Sequence, residues 1–423
     1  MNPAAIEAIM VKVLIAWAVI IGAAWAVGRI GKKCGQPLAV GEIAAGILLG
    51  PSVLGLCGAW GAEVVTFLRD QELQKILQLL GKLGLILLLF QVGMEFHFSN
   101  IKKQSRTVLY VAGLGMIGPL LIGWLIGPWL HDQFAPEVPQ AGMILFCGIA
   151  MAISALPIMG RILIEMNLKS RPFSTLAITA AALDDVVGWV LLATAGALTT
   201  AWAKNHAFEF GPLLLQIAGI VIYYFLMMKV IGPLLRKLYR KLATDGDDMP
   251  HSFLAVLLIV LFLSCLVTHE LGIFTIFGAF ILGVSLHQER RLVDAWSGRY
   301  SALVVVAFVP IFFTNNGLNV NLQSLNAIGW LGLAVVCVSS VIGKLGCCYL
   351  GARLGGESHH DAFRIGTLLN TRALMGLIAV NVGKSLGLLN DTLFTMFVLM
   401  CLLTTAMCGP LLNWSLRKNP SGN

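Results

Sequence analysis

The sequence predicts an all-α polytopic membrane protein with 13 transmembrane helices, N-terminus outside and C-terminus inside. Three observations carry this. Apolar runs of about 18 or more residues, the length that crosses a bilayer, recur from end to end. Only 12% of the 423 residues are charged and 58% are hydrophobic, with a mean hydropathy of +0.85, whereas soluble chains carry about 25% charge. The basic residues, finally, gather on alternate loops.

The first run, 9–30, follows an N-terminus without a basic leader and is too long for a cleaved signal, so it reads as a retained span. Runs 37–55 and 73–97 follow, with 57–71 between them as a surface helix. Next come 106–130, 140–165, 173–200 and 210–233. Beyond a polar loop at Asp245-Gly246-Asp247-Asp248 lie 251–271, 273–287, 301–318, 327–353, 361–386 and 391–415. The second, ninth and tenth are short, which predicts tilt or partial insertion. Charge tests the count. Of 29 Lys and Arg residues, only Lys12, Arg69, Lys75, Lys204 and Lys384 fall on the outer side, while Lys82, Lys344 and Arg372 lie at depth. The remainder fall on the cytoplasmic side, as the positive-inside rule asks, and an even number of spans would spoil the asymmetry. The formal charge of +8 thus reflects topology. Without a basic tail or aromatic–basic interleaving, nucleic acid is not an expected partner. The nine cysteines show neither zinc-site nor disulfide spacing, and Cys347-Cys348 reads as helix- or lipid-facing filler.

The ionisable residues at depth are Glu42, Lys82, Glu95, Asp184, Asp185, Glu270, Lys344 and Arg372. Asp184 and Asp185, in AALDDVVGW, stand out. An Asp at a helix centre costs about 2.5–3.5 kcal/mol to insert, so a pair costs about 5–7. Adjacent helical residues point about 100° apart, so one acid can face a cavity while the other meets a neighbouring helix. A structural ion pair is the bland alternative. Removing a carboxylate from water disfavours its charged form, and a second acid alongside disfavours it again, so such a pair can gain and lose protons. Lys344, in mid-span, needs a partner carboxylate, and Asp184 is the candidate; snorkelling is the bland alternative, and the depth of the residue speaks against it. Ser154-Ala155-Leu156-Pro157 interrupts segment five, and Asn370-Thr371-Arg372 clusters polar groups at the corresponding place in segment twelve. Paired interruptions in two halves point to the binding site of an inverted-repeat transporter, with segments four to six mirroring eleven to thirteen. Arg372 reads as a structural counter-charge to broken helix ends more than as a ligand. Glu42, Glu95 and Glu270 read as hydrated near span ends, His269 as a solvated surface residue, and Lys82 as snorkelling outward.

Several stretches resemble, in the same order, the monovalent cation:proton antiporter-2 family: PLAVGEIAAGILLGP from Pro37, LLLFQVGMEF ending at Phe96, SALPIMGRILIEMNL from Ser154, the LDDVVGW run, and LLNTRALMGLIAVNVG from Leu368. The resemblance implies the sodium:proton antiporter fold, with inverted repeats and two crossing discontinuous helices. It divides the chain into dimer-domain helices 1–3 (1–100), core-domain helices 4–6 (101–200), linker helix 7 with a cytoplasmic loop (201–250), dimer-domain helices 8–10 (251–325) and core-domain helices 11–13 (326–423). It implies that Asp185 is the essential residue for cation (Na+) and proton, that Asp184 occupies the position that is Asp in electrogenic sodium exchangers, and that Lys344 pairs with it. Where many relatives carry Thr in the first broken helix, this chain has Ser154-Ala155. NTRALMG also looks like the plant cation/proton exchangers, some of which favour potassium.

The expectation is an elevator-type antiporter exchanging protons for Na+ or Li+, electrogenic, acting as a homodimer in the bacterial inner (plasma) membrane, without cofactor. A K+:proton antiporter using the same residues is the nearest alternative, and a passive cation channel a more distant one. A membrane-embedded enzyme is disfavoured because no nucleophile–base set or metal-ligand cluster stands out. A sodium-coupled solute symporter is disfavoured by the acid pair with its buried lysine.

Overall fold

The computed structural model describes residues 3–95, 105–166, 168, 171–203, 210–243, 248–272 and 275–418, and their regular structure is entirely helical. Lys102, Lys103, Lys169, Lys204, Phe96 and residues 245–247 lie outside the described residues. In chain order the helices are α1 (Pro3–Lys33), α2 (Leu38–Leu49), α3 (Gly58–Leu68), α4 (Gln71–Met94), α5 (Ser105–Phe134), α6 (Gln140–Ala152) and α7 (Leu156–Glu165). They continue with α8 (Pro172–Ala203), α9 (Phe210–Leu226), α10 (Gly232–Leu242), α11 (His251–Glu270), α12 (Thr275–Leu286), α13 (Arg290–Arg299) and the single turn α14 (Ser301–Leu303). The last are α15 (Val309–Leu318), α16 (Ala327–Val341), α17 (Cys347–Leu354), α18 (His359–Leu369), α19 (Met375–Ser385) and α20 (Asp391–Lys418). Among the described residues, ten helical stretches are long and apolar enough to cross a membrane, and α6 and α12 are apolar but shorter. The protein is an integral, multi-pass membrane protein. The surface helix expected at 57–71 is α3.

Among the described residues, three π-helical turns join neighbours into continuous rods: Met227–Ile231 between α9 and α10, Val304–Phe308 between α14 and α15, and Ile342–Gly346 between α16 and α17. Two other spans are interrupted. Segment five breaks at 153–155, between α6 and α7, and segment twelve at 370–374, between α18 and α19. Pro157 stands in the first turn of α7, where a missing N–H leaves nothing unsatisfied.

The chain divides into two compact units. One comprises Met1–Leu73, Phe98–Ala195 and Phe313–Asn423; the other comprises Gln74–His97 and Gly196–Phe312. Lipid offers no hydrophobic push between helices, so each unit relies on close backbone approach at small residues. In the first, a Cβ on Gly46 of α2 would sit 2.0 Å from the Thr314 carbonyl of α15, and one on Gly317 2.2 Å from the Ile43 carbonyl. In the second, a Cβ on Gly283 of α12 would sit 2.1 Å from the Phe90 carbonyl of α4. The α2–α15 contact overturns one expectation. Glu42 is not hydrated at a span end but buried, 2% exposed, and its backbone carbonyl accepts from Thr314 Oγ1 at 3.1 Å. Lys82, Glu95, His269 and Glu270 are exposed, as expected.

Candidate ion-binding site

Breaking two helices inside a membrane frees backbone groups that water cannot satisfy, so every freed carbonyl needs a donor from the protein. The first unit supplies several of them. Ala152, the last residue of α6, presents its carbonyl to Lys344 Nζ at 2.6 Å. Leu368 and Leu369, at the end of α18, accept from Thr371 Oγ1 at 2.8 Å and from Ser154 Oγ at 2.9 Å. The Thr371 carbonyl accepts from the Ala155 backbone N–H at 2.7 Å. The two interruptions are thus hydrogen-bonded to each other where they cross. At the start of α19, the backbone N–H groups of Arg372 and Ala373 both donate to Thr405 Oγ1, each at 3.0 Å. Thr405 lies in α20 and supplies, from a neighbouring helix, the acceptor for two N–H groups of the interruption itself.

Beside this crossing, α8 carries both acids into the interior. Asp184 is 1% exposed and Asp185 4%. Asp184 Oδ2 accepts from Lys344 Nζ at 2.5 Å and lies 2.9 Å from Ser154 Oγ, whose single O–H it shares with the Leu369 carbonyl. Lys344 Nζ also donates to the Gly115 carbonyl of α5 at 3.0 Å. An ammonium has three N–H donors, and all three are engaged at a fully buried position. The chain positions this lysine through the π-helical turn Ile342–Gly346, an irregularity that recurs at functional sites. Asp184 Oδ1 and Asp185 Oδ1, by contrast, are buried with no hydrogen-bond partner among the described residues. The acids therefore differ. Asp184 has its other oxygen held by a lysine and a hydroxyl, while Asp185 makes no hydrogen bond with a described residue.

Arg372 is completely buried. Its Nη2 donates to the Ser340 carbonyl of the uninterrupted span at 2.9 Å, while Nε and Nη1 have no hydrogen-bond partner among the described residues. Asn370 is buried with Oδ1 unpartnered. The structure thus brings Asp184, Lys344, Ser154 and Thr371 into one connected set, with Arg372 anchored nearby through its backbone and Ser340. The roles of Thr405, of the Gly115 and Ala152 carbonyls and of the π turn emerge only from the structure. Two consecutive threonines at 404–405 in an apolar run were the only visible trace. Among the described residues no cluster of three or more His, Cys, Asp and Glu could hold a metal ion. The Cys347-Cys348 pair faces α5, where a Cβ added to Gly118 or Gly115 would meet the two sulfurs.

Comparison with known proteins identifies the family. Residues 15–418 match the family described as sodium/hydrogen exchanger, transmembrane. The Na(+)/H(+) antiporter NhaS4 of Synechocystis is 33% identical, over 93% of this chain and 94% of that protein. Cation/H(+) antiporter 17 of Arabidopsis thaliana is 31% identical over 89% of this chain, which spans only 45% of that longer protein. The K(+)/H(+) antiporter 1 of Saccharomyces cerevisiae is 27% identical over 89% of this chain and 43% of its own length. The fold resembles that of the sodium proton antiporter MjNhaP1 from Methanocaldococcus jannaschii, with a TM-score of 0.62 over 100% of this chain and 99% of that one at 15% identity. These relatives are antiporters rather than enzymes. The chain belongs to the sodium/hydrogen exchanger family of transmembrane cation/proton antiporters.

Proposed function

We propose that the protein exchanges protons for Na+ or Li+ by an elevator-type alternating-access mechanism. The observation that carries this is the contrast between the two acids: one oxygen of Asp184 is held by Lys344 and Ser154, while Asp185 makes no hydrogen bond with a described residue and keeps a buried oxygen bare. A buried carboxylate oxygen without a protein donor is completed by a proton or a small hard cation. Those two occupants exclude each other, and their alternation is exchange. Asp185 binds either one. Asp184 releases its proton, or its Lys344 partner, as the cation enters. Two titrating groups allow more than one proton per cation, and the cycle then moves net charge, worth about 2.3 kcal/mol per charge per 100 mV.

The finer architecture is part of the same proposal. Thirteen crossings, N-out and C-in, are supported by the ten long helical stretches together with α12 and the two interrupted spans. Inverted repeats are supported by the paired interruptions in segments five and twelve. Spans one to three and eight to ten form the dimer domain, four to six and eleven to thirteen the mobile core, and the protein works as a homodimer in a bacterial inner membrane.

The test is reconstitution into liposomes. An imposed sodium gradient is expected to drive proton movement, and Asp185→Asn to abolish it; exchange retained in that variant removes the assignment. A series of Li+, Na+ and K+ in the same vesicles, with the membrane potential clamped and unclamped, separates this from K+:proton exchange, which the yeast relative favours. A passive channel would conduct the cation without building a pH gradient.

A further inference from the structure

We propose that the basic turn of α10, in the second unit, is a binding site for the phosphate of an anionic phospholipid. The helix is clamped on its inner side. Gly232 packs against Ser285, and Leu235 and Tyr239 are buried. Tyr239 Oη donates to the Asp248 carbonyl at 2.9 Å, and its ring meets Phe253 edge-on with centroids 5.0 Å apart. That clamp fixes what the outer side presents. Pro233, Arg236, Lys237 and Arg240, one face at helical spacing, line an open concavity of about 240 Å³.

The two guanidinium groups are held in place there. Arg236 donates to Gln288, and Arg240 Nε donates to Glu289 Oε2 at 2.7 Å. Lys237 is exposed and hydrogen-bonds no described residue. Glu289 offsets one of three positive charges, so the concavity remains cationic. Toward the middle of the span the same rod, continuous through the π turn, leaves Ile222, Phe225, Leu226, Val230 and Leu234 bare, each between 46% and 67% exposed. An anion suits the concavity, and an acyl chain suits the apolar side chains on the same rod. Both belong to one lipid. Topology alone accounts for bases at the end of a span. It does not account for a concavity on one helix face whose arginines are pre-oriented by neighbours.

The purified protein in detergent is titrated with dioleoylphosphatidylglycerol, dioleoylphosphatidylcholine and inorganic phosphate, and binding is read by native mass spectrometry and by the shift in melting temperature. The anionic lipid is expected to be retained and to raise the melting temperature, whereas the zwitterionic lipid and phosphate are not. Each neutralised base is expected to weaken retention about fivefold, so Lys237→Gln/Arg240→Gln should lose about 25-fold. The charge-matched Lys32→Gln/Lys33→Gln, at the exposed end of α1, should change little. Lys237→Gln alone breaks no described bond and keeps the test valid if the double variant does not fold. Equal loss in both double variants would mean diffuse attraction and overturn the site, as would no loss in either. Stabilisation by phosphate alone would overturn the lipid as its source.

Discussion

At the scale of single residues, Lys344 and Asp184 depend on one another more than on anything else in the site. Removing one member of a buried ion pair strands the other and costs about 3–5 kcal/mol, while replacing both is far milder. Lys344→Met is therefore expected to lower the melting temperature sharply, because it leaves Asp184 and the carbonyls of Gly115 and Ala152 without their donor. Adding Asp184→Asn should recover part of the loss. A double variant no more stable than Lys344→Met would show that the pair is not the coupling. Both residues were legible in the sequence for one reason: an ion in a run of Ala, Leu and Val is costly to insert and calls for a partner. Glu42 was misjudged because its burial comes from a helix 272 residues away, and no local pattern encodes that. Thr405 was overlooked because a hydroxyl in a membrane span usually bonds its own helix, and here it bonds its own helix and a broken one as well.

At the scale of elements, glycine decides where helices touch. Gly46→Ala must drive α2 and α15 apart, since the new methyl would lie 2.0 Å from the Thr314 carbonyl, and a cost of about 1–3 kcal/mol is expected. Gly22→Ala is the contrast, because a Cβ there meets nothing within 4 Å, and the better helix former should be neutral or stabilising. Thermal melting of the two variants checks both. The start of α4 adds a pH dependence. The Leu73 backbone N–H donates to Asp70 Oδ1 at 3.0 Å, and that bond, with Lys12 at 3.7 Å, holds the carboxyl below its ordinary range. Such a group stabilises the fold above its unfolded pKa, and the contribution is lost as pH falls through the lower folded value. Asp70→Asn keeps the cap acceptor but removes the charge, so its melting temperature should sit slightly below wild type at neutral pH and converge with it in acid. The broken helices were legible as elements because proline and clustered polar residues mark them. The π turns were not, because their composition is that of an ordinary helix and only the register shifts.

At the scale of the whole molecule, the proposed orientation makes a sharp prediction from two native cysteines. Cys34, after α1, and Cys57, before α3, are exposed, whereas the other seven are buried or half-buried. With the N-terminus outside, α1 delivers Cys34 to the cytoplasm and the second span returns Cys57 to the exterior. A membrane-impermeant maleimide should label Cys57 in sealed right-side-out vesicles and reach Cys34 only after permeabilisation; the reverse pattern would invert the topology.

The lysine that neutralises Asp184 stands 160 positions further along the chain. A ribosome adding about 5–20 residues per second needs roughly 10–30 s to cover that distance. During biogenesis the sixth span therefore has to be handed over without its counter-ion, either beside water or with its acids carrying protons. The finished transporter and its nascent chain thus face the same chemical problem, and the cell's insertion machinery handles it before the protein's own ammonium arrives.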